Sequence, residues 1–130
     1  MRTMLGVLGG IVVAVLCVYA IEVVGHTVFP TPPDIDVYNP AHAERLMAAL
    51  PAGAFAFVIA GWFIGSLVGA WLSNRIARNG FAGWIVALFV ICGGAYTMTV
   101  FPHPIWMWVL GIVLPLVAAW LAQRMTPTAT

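Results

Sequence analysis

Charge is what this sequence has least of. Only 7% of its 130 residues are charged, as five arginines and four acids, and lysine is absent. A water-soluble domain carries about 25% charged residues, so that class is excluded. Disordered chains are polar and charge-rich, which excludes disorder as well. Five arginines spread along the chain offer no basic face, and a nucleic-acid partner is not expected. Cysteine is nearly absent too. Cys17 and Cys92 stand alone, so neither a disulfide framework nor a Cys-x-x-Cys redox motif is present. Two cysteines near mid-membrane read as buried, small apolar residues.

Apolar sequence fills the space that charge leaves. Hydrophobic residues make up 63% of the chain. A helix needs roughly 20 mostly apolar residues to cross about 30 Å of hydrocarbon. Four stretches meet that length, at about 4–29, 51–73, 81–101 and 105–123. Runs such as Ile11-Val12-Val13-Ala14-Val15-Leu16 lack the alternation that a membrane β-barrel requires. The expected fold is therefore all-α: one transmembrane domain over 1–130, built as an integral membrane four-helix bundle. The first stretch also has the outline of a secretory signal, with Arg2 before an apolar run and Val18-Tyr19-Ala20 after it. Its apolar region is long, and polar residues before a cleavage point are missing, so an uncleaved span is expected.

The few charges orient the bundle. Four spans place both termini on one side, together with Arg2, Arg75, Arg78 and Arg124. Arg45 and all four acids, Glu22, Asp34, Asp36 and Glu44, fall toward the other side. Arginine-rich flanks stay in the cytoplasm, so both termini are expected to be cytoplasmic, in a multi-pass protein of a bacterial inner membrane. Trp71, Trp84 and Trp120 at one set of span ends, and Trp106 and Trp108 at the other, suit the membrane interface. Trp62 is the exception, near mid-membrane.

Small residues mark the expected packing. Gly61, Gly65, Gly69 and Ser73 recur every four residues along span two, and Gly6, Gly10 and Ala14 do so along span one. Such stripes let two backbones approach closely. They serve either packing within the chain or self-association. Pro115 removes one hydrogen bond inside span four and frees the Gly111 carbonyl, where a bend is expected. The connection 30–50 is the one long loop. Pro30, Pro32 and Pro33 end the first helix. Asn39-Pro40 reads as a helix start, and Leu46, Met47 and Leu50 give the following segment an apolar side. A short amphipathic helix on the outer interface is expected there.

One constellation could carry chemistry. Glu22 lies roughly 25 Å along a crossing of about 30 Å, one turn below the outer surface. His26, four residues on, shares its face one turn higher. His103 falls at the same level in the tight hairpin Phe101–Pro104, and Tyr96 lies near the depth of Glu22. Asp34, Asp36 and His42 are in the loop above. Ionisable residues within a span are costly to insert and so are functional candidates. Glu22, His26 and His103 could exchange a proton. They could also ligate zinc with water in the fourth position; no other cofactor is suggested. The competing account is a polar cap, with Glu22 bonded to Tyr96 or a helix end and the histidines facing headgroups. An intramembrane enzyme is the least expected outcome, because neither cysteine has a base at its depth.

Two resemblances accompany this reading. Ile21-Glu22-Val23-Val24-Gly25-His26 followed by Pro30-Thr31-Pro32-Pro33, Leu50-Pro51 leading into Gly61-Trp62-Phe63-Ile64-Gly65, and Phe101-Pro102-His103-Pro104 resemble a group of small four-span bacterial membrane proteins that lack an assigned activity. That resemblance implies an inner-membrane address and no mechanism. More loosely, the chain is similar to the small multidrug resistance transporters, four-span chains with a lone membrane Glu in the first helix, here Glu22. It departs from them in the outer position of Glu22, the long first loop and an arginine bias that disfavours antiparallel dimers. The expected role is a structural or accessory membrane protein that meets the lipid bilayer and associates with itself or with a larger complex. The alternative is a proton- or metal-coupled transporter or channel, built as an oligomer around the outer site.

Overall fold

The computed structural model describes residues 1–127. Among them the elements are five α-helices and one 3-10 turn: α1 (Arg2–Val28), the 3-10 turn Pro40–His42, α2 (Ala43–Ala49), α3 (Ala52–Ala77), α4 (Ala82–Val100) and α5 (Ile105–Met125). No strand occurs among the described residues. α1, α3, α4 and α5 are each long and apolar enough to cross a membrane. They form an antiparallel bundle in which α3 and α4 pair centrally, with α1 packed on one side and α5 on the other. One end of the bundle carries both termini and the α3–α4 turn. The other, called here the loop end, carries the 29–51 connection and the α4–α5 hairpin.

The contact between α1 and α3 is the most extensive in the bundle. Near the termini it is made backbone to backbone. A Cβ built on Gly10 would meet the Gly69 carbonyl at 2.6 Å, and one on Gly69 would meet the Gly10 carbonyl at 2.5 Å. Gly6 approaches the Ser73 carbonyl in the same way, at 2.6 Å, and Gly65 approaches that of Ala14, at 2.8 Å. Both small-residue stripes are buried inside one chain, which leaves neither free for a second copy. Toward the loop end the contact changes character. A Cβ on Gly61 would sit at an ordinary 3.5 Å from Ile21, and Gly25 receives the Phe57 side chain.

Trp62 fills the middle of the bundle and is 4% exposed. Its ring lies against Gly94 of α4 and Gly111 of α5, where a Cβ would come within 3.2 Å and 2.8 Å of it. Glycine at both positions makes room for the indole. α5 continues as helix through the buried Pro115. At the terminal end, the buried Asn74 accepts a hydrogen bond from the Gly83 amide at 2.7 Å. This satisfies one of the free N–H groups of the first turn of α4 from a neighbouring helix. The Trp84 indole donates to Gln123 Oε1 at 3.0 Å, tying α4 to α5.

Several boundaries differ from the sequence expectation. α3 runs to Ala77 rather than to about residue 73, passing through Asn74 and Arg75. A polar residue ends an apolar run without ending the helix. Asn74 turns inward to cap α4, and the Arg75 guanidinium lies over the Trp71 ring at 5.2 Å. α3 stops at Arg78, which takes the left-handed conformation with φ 55°. The loop helix is divided. Asn39 Oδ1 accepts from the Ala41 amide at 3.0 Å, starting a 3-10 turn, and the α-helix proper begins at Ala43. Leu46 is buried, and Met47 and Leu50 pack on the core, so the apolar side of α2 covers the end of the bundle. Cys92 faces outward rather than into the core, Cys17 is half-buried, and both are free thiols.

Gly69→Ala is expected to destabilise the bundle by about 1–3 kcal/mol, because the added methyl meets backbone that cannot move aside. Gly61→Ala is expected to change stability by less than about 0.5 kcal/mol. Reversible unfolding in mixed micelles checks both, and equal effects would refute this account of the α1–α3 contact.

Candidate functional site

The loop end is built from bulky side chains. The Phe29 and Phe57 rings meet edge to face at 6.0 Å, and Phe55 meets Trp106 similarly at 6.4 Å. A cavity of about 270 Å³ lies among α1, α2, α3, the end of α4 and the hairpin. Glu22 and His26 line it from α1, His103 from the hairpin, Phe55 and Val58 from α3, Leu46 and Met47 from α2, and Thr97 from α4. The residues Glu22, His26 and His103, drawn from two distant parts of the sequence, therefore face one space.

His103 is held firmly. Its ring packs edge to face on Phe55 with centroids 6.0 Å apart, and its Nδ1 lies 2.7 Å from the Phe101 carbonyl oxygen. A carbonyl can only accept, so Nδ1 carries the hydrogen and donates it. In the neutral ring, Nε2 is then an unprotonated acceptor. Glu22 and His26 form no direct ion pair: among the described residues the one ion pair is Arg45–Asp34. Nor do three His, Cys, Asp or Glu side chains stand close enough together to hold a metal ion, among the described residues. Thr97 donates its hydroxyl to the Gly93 carbonyl at 3.1 Å. The groups left to meet a ligand are the Glu22 carboxyl, the His26 ring and His103 Nε2.

Tyr96 is not part of this set. It is 72% exposed and does not line the cavity. Helix geometry explains the difference. Val90, Gly94 and Met98 form the inward face of α4. Tyr96 follows Gly94 by two residues, about 200° around the helix, whereas Thr97 follows it by three and turns back inward. Depth along a span is readable from sequence position, but the facing of a side chain depends on which stripe packs.

The polar loop residues organise the loop instead. Asp34 pairs with Arg45 at 2.7 Å, with both side chains well exposed, a pair worth at most about 1 kcal/mol. Asp36 Oδ1 accepts from the Tyr38 amide at 2.9 Å, and the Asp36 amide donates to His42 Nδ1 at 3.0 Å. These contacts fold 34–42 over the loop end, where Val37 closes part of the cavity.

A second cavity, of about 310 Å³, continues from the first toward the bundle centre. Glu22 and Thr97 line both. Its walls are Val15, Val18 and Tyr19 of α1 and Phe89, Val90, Gly93 and Gly94 of α4, with Trp62 beneath. The sequence offered one cue to it, Trp62 at mid-membrane, but not the crevice between α1 and α4.

Comparison of the chain with protein-family models, with curated proteins and with solved structures finds no match.

The neutral His103 imidazole is expected to carry its proton on Nδ1. Ring ¹⁵N chemical shifts from selectively labelled protein read the tautomer, and a proton on Nε2 would contradict the hydrogen bond to Phe101.

Proposed function

We propose that this chain is a multi-pass protein of a bacterial inner membrane with both termini in the cytoplasm, and that it is an accessory protein that binds a ligand at its outer end. The observation that carries the reading is the shared cavity of Glu22, His26 and His103. A half-buried Glu22 and a half-buried His103 lining one apolar-walled space at the edge of a membrane bundle, beside the more exposed His26, are costly to keep there without a use. A polar cap with both histidines facing headgroups does not account for His103, whose ring is fixed by Phe55 and the Phe101 carbonyl.

Binding is favoured over transport by one chain. The crevice leads from the loop end to Trp62, and beyond it α1 and α3 meet at backbone distance through Gly10 and Gly69, with the Val86 side chain packed on both. A carrier or channel for protons or metal ions would need a second arrangement of the helices or an oligomeric path. The long apolar side chains that α1 exposes, such as Leu8, Val12 and Leu16, suit lipid or a membrane partner.

Orientation is tested with single cysteines in a Cys17→Ala, Cys92→Ala background. Tyr38→Cys is expected to react with a membrane-impermeant maleimide in intact spheroplasts, and Asn79→Cys only after lysis. The reverse pattern would overturn the orientation.

The binding reading is tested by native mass spectrometry of protein released from the membrane. Wild type is expected to retain a bound species that Glu22→Gln and His103→Phe lose while keeping their helical content. No bound species in wild type, or equal retention by all three, would overturn it.

A further inference from the structure

The crevice that runs inward from Glu22 opens sideways. Its α1 wall includes Val15 and Tyr19, and its α4 wall includes Phe89, all of them substantially exposed on the outside of the bundle. At Gly93 an added Cβ would meet nothing within 4 Å. In a spanning bundle this outside is the hydrocarbon of the bilayer, so the second cavity is reached from the membrane between α1 and α4. The first cavity, with its polar groups, lies at the membrane edge. The two meet at Glu22 and Thr97. The combined shape is that of a polar head site with an apolar tail slot below it, seven helical residues deep from Glu22 to Val15, or about 10 Å.

The head site has a definite chemistry. No arginine lines either cavity, and Arg45 is paired with Asp34 in the loop. No permanently charged cation there would balance a phosphate, and an ionised Glu22 would repel one. In the neutral ring His103 Nε2 is an acceptor, because Nδ1 is committed to the Phe101 carbonyl, and an ionised Glu22 only accepts. A ligand that satisfies both must bring hydrogen-bond donors. We propose that the site binds a single-chain neutral amphiphile whose head presents hydroxyl groups, drawn sideways from the bilayer with its head at Glu22 and His103 and its tail between α1 and α4. This rests on the binding reading above and names the chemical class of the ligand.

Dodecyl glycerol bearing a diazirine in mid-chain is the probe, used on the full chain in nanodiscs of neutral phospholipid. Irradiation is expected to label α1 near Val15–Tyr19 and α4 near Phe89–Gly93. Unlabelled dodecyl glycerol in excess is expected to remove that labelling, and dodecyl phosphate and dodecyltrimethylammonium are not. Glu22→Gln is expected to weaken competition by about tenfold, the scale of a hydrogen bond to a charged group. Gly93→Leu, placed where the added side chain meets no neighbour, is expected to abolish labelling with the fold intact. Labelling that neither competitor nor variant changes would mean general lipid exposure and would overturn the inference. Equal competition by the phosphate or the ammonium would overturn the head chemistry. If native mass spectrometry shows a Glu22-dependent ligand while Gly93→Leu leaves it bound, the ligand is a small polar molecule. The amphiphile is then excluded and the binding reading stands. If Glu22→Gln affects neither measurement, both fall.

Discussion

Near the termini, α1 and α3 touch through their backbones, at Gly6, Gly10, Gly65 and Gly69, with the small Ala14 and Ser73 beside them. Lipid tails are as apolar as leucine, so two spanning helices gain little from hydrophobic burial and must be held by close packing. Glycine supplies that closeness because its missing Cβ lets one helix reach the carbonyls of the other. This contact sets the spacing of the first half of the bundle. Toward the loop end side chains take the place of backbone carbonyls in the contact: Phe57 lies on Gly25 and the Phe29 ring beside Gly53. Large side chains enter the contact at that end, and a space remains there among α1, α2, α3, the end of α4 and the hairpin.

The candidate site lies at that end. Glu22 lines both cavities. The hairpin brings His103 across, and α2 closes the top with Leu46 and Met47. The loop's charged groups satisfy one another as Arg45–Asp34 and through the Asp36–His42 contact, so the cavity keeps only three titratable groups. Trp62 closes the bottom, and its size is accommodated by Gly94 and Gly111.

Much of this was readable from residue order. The apolar runs give the number of spans, because crossing length is a property of one segment alone. The four-residue repeat of small residues in two spans marks which faces can pack. Asn39-Pro40 gives the start of the loop's helical segment. The misjudged features share a cause. Asn74 looks like the end of a span until Gly83, nine residues away, supplies a donor for its side chain. Tyr96 lies at the right depth but on the outward side of α4. Cys92 does the same. Each depends on how one helix is rotated against its neighbours, and rotation is set by packing partners far away in sequence.

Composition and spacing by themselves determined that this is a membrane-spanning helical protein, and that its acids and histidines gather toward one end. Those are properties of length, hydropathy and position, each readable along a single line. Only the tertiary structure decided that Glu22, His26 and His103 face one cavity, that Tyr96 does not, and that a crevice continues from them toward Trp62. A cavity is what remains after several helices have packed. Its walls belong to no single segment, and its shape depends on where the closest contact between helices lies.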